Sequence, residues 1–214
     1  MSSLSLKTSG GTNRGIIRQH PERSAPEARN SVLLQGQVAH VAFNDGDQVV
    51  VVPFTYHFDP AIPDRIFLHG GQNSRAFRVM ASGAPVCVEV TIVDGLVYSR
   101  DALYHSVNYR SCVCFGRAQE IREADRKAII LRDMIRRYFP GREEGRDYVA
   151  ASEAQLHATA LFEVMIEESS TKMRAGGPKG PNDNSSPGSH TFGIVELKVT
   201  PVDPRTAAEA EEGA

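Results

Sequence analysis

The sequence predicts a mainly β, α+β protein, a closed or partly closed antiparallel barrel of about six to eight strands with helices packed outside. Three observations lead there. β-branched and apolar residues recur in about eight short runs separated by turn residues. One stretch, Ala124 to Tyr138, has the three-and-four spacing of a long amphipathic helix, with apolar residues at Ala128, Leu131, Ile135 and Tyr138 and basic residues between them. The strands do not alternate with helices as βαβ units would require, so a parallel sheet is excluded.

The elements follow in order. The first thirty residues are rich in Ser, Gly, Arg and Pro without a hydrophobic period, so residues 1–27 are expected to form a flexible arm that orders only by docking. Ala28 to Leu34 reads as a short helix, with Gly36 placed to end it in the left-handed conformation. Gln37–Phe43 and Gln48–Tyr56 flank the turn residues Asn44-Asp45-Gly46 and predict a hairpin. Asp59-Pro60 and Pro63-Asp64 break the chain before a strand over Arg65–His69. Gly70-Gly71 then leads to Asn73, the expected cap of a helix through Met80. Val86–Val93, a tight turn at Asp94-Gly95 and a return strand over Leu96–Ser99 come next, then a strand over Val107–Ala118 and the long helix. Thr159–Ile166 sets Ala160, Phe162, Val164 and Ile166 against polar neighbours, the pattern of a half-buried strand. Residues 175–190 are almost all small or polar and predict a mobile loop. A last strand covers Gly193–Thr200, residues 201–214 form an expected disordered tail, and one domain is expected over 28–200.

Composition narrows the function. A chain of 214 residues with 41% hydrophobic content can build one sizeable core. A formal net charge of −2 lacks the positive field that nucleic-acid binding needs. No stretch approaches the roughly 18 apolar residues of a membrane span, and Met1 to Gly15 has no apolar signal core, so a cytoplasmic protein is expected. The three cysteines, Cys87, Cys112 and Cys114, sit in β-rich apolar segments as small buried hydrophobes would. No second Cys/His pair stands near them to complete a zinc site, so no metal is expected. Hydrolase elbows, phosphate-binding Walker loops, dinucleotide fingerprints and His-Glu-x-x-His are absent.

Three segments could carry chemistry. In VVVVPFTY, Pro53 cannot donate to a ladder, which marks either an edge strand or backbone left open for a ligand such as the pyrimidine edge of a flavin. In IFLHGGQNSRAFR, two glycines allow close backbone approach, while Asn73, Ser74, Arg75 and Arg78 supply amide, hydroxyl and guanidinium groups suited to a phosphate; a capped, solvated helix start is the alternative. His69, at a strand end beside Gly-Gly, is either a structural histidine or a group poised to titrate near neutrality. In NYRSCVCFG, strand alternation puts Tyr109, Ser111, Val113 and Phe115 on one face and Arg110, Cys112 and Cys114 on the other. Arg110 and Ser111 therefore cannot point to the same side of one strand.

Taken in order, RQHPER, GQVAHVAF with VVPFTY, IFLHGG with NSR, PVCVEVTIVDGLVYSR, VNYRSCVCFGRAQEI and SSTKMRAGGP resemble the pyridoxamine 5'-phosphate oxidase-like flavin-binding proteins, specifically their nitroimidazole-resistance branch. The resemblance runs from about Arg18 to Leu197. It implies an FMN-binding split β-barrel that forms a homodimer, with two FMN molecules in clefts between the subunits. It further implies that Val52, Pro53, Phe54 and Thr55 line the flavin ring, that His69 and Gly70 lie beside it, that Ser74 and Arg75 hold the phosphate, and that Arg110 and Ser111 belong to the strand completing the cleft. The chain departs from the family's pattern at Cys112, where a small aliphatic residue is usual, and at Ser170-Thr171-Lys172, where Ser-Gly-Lys is usual, which leaves the role of Lys172 open. Oxidases of pyridoxamine phosphate resemble one another in a C-terminal segment with tryptophan and arginines; here there is no Trp and the end is AEAEEGA, so that substrate is disfavoured. The expected function is an FMN-dependent oxidoreductase acting on a small acceptor, nitroreductase-like, with His69 donating a proton or positioning substrate. A flavin-binding, sensing or storage protein without catalysis and a haem-binding split barrel are the alternatives.

Overall fold

The structure, a computed structural model, describes residues 13–184 and 192–199. Residues 1–12 of the expected arm, 185–190 of the expected loop and the 201–214 tail lie outside the described residues. The chain divides into two compact units, Met1–Ile92 with Arg110–Met173, and Val93–Tyr109 with Arg174–Ala214. Among the described residues no helix is long and apolar enough to cross a membrane.

The first unit is built on a sheet that curls into a half-barrel flanked by helices, the split-barrel class that the sequence predicts. Its strands are β1 (Ala39–Asp45), β2 (Gln48–Phe54), β3 (Tyr56–His57), β4 (Arg65–Gly71), β5 (Pro85–Tyr98), β6 (Ser106–Glu120) and β7 (Thr159–Arg174), in the spatial order β2-β1-β5-β6-β7-β4-β3. The predicted hairpin is β1 with β2; Asp45 pairs with Gln48, so the turn is Gly46-Asp47, one residue later than expected, with Gly46 at φ 60. Inside the curl, Val41, Tyr56, Leu68, Val88, Cys112, Phe162 and Val164 belong to one buried cluster, which the alternation of each strand directs inward.

Helix α1 (Arg29–Gln35) forms where expected, but Gly36 is extended at φ −65 and ψ 144 rather than left-handed. Its glycine answers a different need. A Cβ there would lie 2.2 Å from Val90 Cγ1 and 2.9 Å from the Tyr56 hydroxyl. Helix α2 (Arg75–Ala81) is capped by Ser74, not Asn73: the Ser74 hydroxyl oxygen accepts the Phe77 N–H at 3.2 Å. Helix α3 (Ala124–Tyr138) has the predicted limits, yet its buried residues are Lys127, Ile130 and Met134, and the predicted stripe is only half-buried. Lys127 explains the offset. Its ammonium donates to the carbonyls of Leu156 and Thr159, so a charged residue occupies the seam that periodicity assigns to apolar ones.

Helix α4 (Glu153–Ala158) is an element the strand-and-turn reading passes over, although Ser152 and Gln155 close a capping box around its first turn. Strand β7, expected half-buried, is buried on both faces from Ala160 to Val164. A second cluster covers its outer side, where Leu161 packs with Phe67, Ile121 and Ile130 of α3. Residues 13–27 dock along the same strand: Arg14 pairs with Glu167 and Glu168 at 2.8 and 3.1 Å, and the Ala25 N–H donates to the Thr171 carbonyl at 2.9 Å.

In the second unit, β5 runs straight through Asp94-Gly95, where a turn is expected. Gly95 pairs instead with Glu196 of β8 (Gly193–Glu196), a strand shorter than expected, and a Cβ at Gly95 would lie 2.9 Å from the Val195 carbonyl oxygen. The described part of the 175–190 segment is tied down by Asp183, whose carboxylate accepts from the Ser99 hydroxyl and the Arg100 and Gly180 N–H groups at 2.9, 2.8 and 2.6 Å.

On the outer face of β7, the Glu163 carboxylate is buried between Arg65 and Arg126, each 2.6 Å away. Burial alone would raise its pKa, but the two guanidiniums prevail and hold it below the ordinary value of 4.5. A carboxyl depressed on folding stabilises above its unfolded pKa and loses that contribution as pH falls through the folded value. Glu163→Gln is expected to cost about 2–3 kcal/mol in urea unfolding at pH 7, less than a fully buried pair because both arginines reach solvent, and the gap to the unaltered protein should narrow as pH falls below the ordinary carboxyl range and through the depressed folded pKa.

Candidate functional site

Strand β2, the end of β4 and helix α2 meet around one side chain. The Phe77 ring stacks on Phe162 at 5.0 Å and lies 5.5 Å from the Phe54 ring. At Gly70 a Cβ would come within 2.7 Å of Phe77 Cε2, so glycine is what allows β4 to close on α2. From the start of the same helix, Arg75 reaches the β1–β2 turn, donating to Asp45 Oδ2 at 2.5 Å and Gln48 Oε1 at 2.8 Å. A recess of about 380 Å³ is lined there by Asp45, Gly46, Arg75 and Arg78 among others. The structure thus brings Val52, Phe54, Gly70, Ser74 and Arg75 to one corner of the first unit.

Alternation divides the remaining predicted residues. Val52 and Phe54 pack against the inner cluster, whereas Pro53 is exposed on the outward face of β2 and Thr55 is exposed just past its end. β2 ends the sheet order, so Pro53, paired with His40 of β1, sits in an edge strand, the place in a sheet where proline is tolerated. His69 pairs with Leu161 and lies two residues beyond Phe67, so it belongs to the outer face that carries the second cluster, while its neighbour Gly70 faces Phe77. Its Nδ1 is buried without a hydrogen-bond partner, and burial lowers its pKa, favouring the neutral imidazole. His57 shares that face, since it pairs with Phe67; its Nδ1 is also buried without a partner, and burial, then the Arg137 charge, lower its pKa.

Arg110 and Ser111 point to opposite sides of β6, as alternation predicts, and are engaged elsewhere in the unit. Arg110 donates to Gln35 Oε1 at 2.6 Å and Ser111 to the Lys172 carbonyl at 3.4 Å. Lys172 therefore meets Ser111 through its backbone. Cys112 and Cys114 are wholly buried with sulfurs 3.6 Å apart, as small hydrophobes on the inner face.

A cavity of about 830 Å³, more than twice the Arg75 recess, opens beside α2, α3 and α4; of the residues the sequence marks as suited to a phosphate, Asn73 and Arg78 line it and Ser74 and Arg75 do not. Sequence reasoning missed Lys127 and His157 on its wall and Phe77 as the hinge of the site. The capping box at Ser152 was the available signal, since it places α4 and hence the far wall.

The sequence profile of the family described as Pyridoxamine 5'-phosphate oxidase matches residues 26–173. No curated protein matches the chain by sequence. Among solved structures, the flavocytochrome Anf3 from Azotobacter vinelandii is 26% identical, with 90% of this chain and 88% of that one covered at a TM-score of 0.78. The FAD and heme binding protein from Mycobacterium smegmatis is 27% identical, with coverage of 84% and 87% and a TM-score of 0.72. A candidate 5-nitroimidazole antibiotic resistance protein from Bacteroides thetaiotaomicron, 20% identical over 69% of this chain and 83% of that one at a TM-score of 0.57, shares the fold. With its family profile covering well over half of the sequence and its strands in a split barrel, the chain belongs to the pyridoxamine 5'-phosphate oxidase family.

Proposed function

We propose that this chain is a flavin-binding redox protein of the cytoplasm that works as a homodimer, with FMN as its flavin and a small molecule as its electron acceptor. One observation carries the reading: an edge strand interrupted by Pro53 runs beside a helix start that presents Ser74 and Arg75. The donor set fits a phosphorylated flavin. An edge strand turns alternate N–H and C=O groups away from its partner, a strip that the pyrimidine edge of an isoalloxazine complements. Arg75, exposed and held by Asp45 and Gln48, would exchange these for a phosphate, which takes a bidentate guanidinium well. The Ser74 hydroxyl accepts from Phe77 as a cap and still has its own proton to donate.

A bound flavin would supply electron transfer, and the protein would orient it and control access. His69, kept neutral by burial, would present one ring nitrogen as donor and one as acceptor and so position a substrate or pass it a proton. Two facts support a dimer. Val49 and Val51, 71% and 57% exposed, form an apolar strip with Pro53 on the outward face of β2. Arg110 and Ser111, held away from the Phe77 corner, would reach a cleft from the partner subunit.

A second reading adds haem and takes FAD as the flavin, because the Azotobacter vinelandii and Mycobacterium smegmatis proteins are described as a flavocytochrome and as binding FAD and heme. Here the specific support is the pair His57 and His69, neutral imidazoles on one sheet face whose buried Nδ1 atoms have no partner.

The absorption spectrum of the purified protein separates the readings: flavin bands alone favour the first, a Soret band the second, and a colourless protein that takes up neither cofactor contradicts both. Arg75→Glu is expected to weaken FMN binding at least about tenfold, the loss of one charge-assisted contact; undiminished affinity removes Arg75 from the site. His69→Ala is expected to slow nitroaromatic reduction by about tenfold or more with flavin still bound, and an unchanged rate takes His69 out of the reaction.

A further inference from the structure

The cavity of about 830 Å³ lies within the first unit, where β6 ends, β7 begins and α2, α3 and α4 come together. Small-molecule pockets commonly span about 300–1,000 Å³. The floor is buried and apolar, made by Phe77, Leu156, Ala160 and Phe162, and the two phenyl rings are stacked within 6° of parallel. Rigid aromatic surface of this kind takes another ring well.

One charge interrupts that floor. Lys127 is 4% exposed, and its ammonium donates to the Leu156 carbonyl at 3.1 Å and the Thr159 carbonyl at 2.8 Å. Two carbonyls leave one of its three protons unassigned. No carboxylate lies within ion-pairing distance of it among the described residues, although a buried cation without a counter-ion is costly to keep. An anion entering the cavity would supply the missing charge. Arg78 stands on the exposed rim and has no side-chain partner among the described residues, whereas Arg122 is tied to Glu120 at 2.8 Å. Glu153, the other rim carboxylate, lies in the first turn of α4.

We propose that this cavity is a binding site for a small aromatic carboxylate, its ring on the Phe77–Phe162 floor and its carboxylate between Lys127 and Arg78. The inference does not depend on a flavin, because neither Ser74 and Arg75, expected to hold its phosphate, nor the residues expected around its ring line the cavity, although Arg78 lines both it and the Arg75 recess. Phe77 is nonetheless shared, since its ring also touches Phe54 and Gly70, so a ligand here would press on the wall of the proposed flavin corner.

The test is a fluorescence titration of the full chain, saturated beforehand with whichever flavin it takes up, using naphthalene-2-carboxylate and its neutral counterpart naphthalene-2-carboxamide. One carboxylate should bind per chain and the carboxamide at least about tenfold more weakly, as expected for losing a charge-assisted contact. Arg78→Gln should weaken the carboxylate by about tenfold and leave the carboxamide unchanged. Ala154→Trp, on the exposed face of α4 that lines the cavity, should abolish binding of both while flavin uptake stays the same. Equal affinity for the two probes, unaltered binding by either variant, or no saturable binding up to about 1 mM overturns the proposal.

Discussion

The packing of Phe77 against Gly70, Phe54 and Phe162 is the contact on which the rest of the first unit's chemistry depends. It fixes α2 to the sheet, and α2 carries Ser74 and Arg75 at its start. Because the ring sits where a Cβ at position 70 would be, β4 can close on α2 only with glycine there. The ring also forms part of the cavity floor on the other side. A single buried aromatic residue thus sets the distance between an edge strand, a helix start rich in donors and a cavity with a buried cation.

Strand alternation is the second constraint, and it decides what each residue near this contact can do. Along β4, Leu68 and Gly70 face the inner cluster, whereas Phe67 and His69 face α3 and the second cluster. The sequence places His69 and Gly70 side by side, but a period of two sends adjacent side chains to opposite faces. His69 therefore lies on the outer face, the one His57 also belongs to, while Gly70 serves packing on the inner one.

Much of this was legible in the residues. The limits of α3, the β1–β2 hairpin and the edge-strand position of Pro53 follow from periodicity, turn chemistry and the missing proline N–H. The errors share a physical cause, namely that a residue type with two uses was given the commoner one. Gly95 was read as a turn and Gly36 as a left-handed cap, yet both are glycines because another chain segment passes too close for a Cβ. Lys127 is one of the basic residues that stand between the apolar positions of the stripe, yet two carbonyls at the α4 end bury its ammonium. β7 has the pattern of a half-buried strand because Glu163 is among its polar positions, yet Arg65 and Arg126 pair with it and it is buried. Of the site, the residues next to the glycines and the helix cap could be found from sequence; the cavity could not, since its wall depends on tertiary placement of α4.

The account stands on a family fold, a donor-rich helix start beside an open strand edge, and an apolar strip on the outward face of β2. Together they support the proposal of a phosphorylated flavin held between two copies of the chain. The most direct measurement is a titration of flavin-stripped protein with FMN, followed by flavin fluorescence quenching and by the mass of the complex in solution. The account predicts saturation at one FMN per chain in a dimer; a protein that remains monomeric and quenches no FMN at any concentration would contradict it.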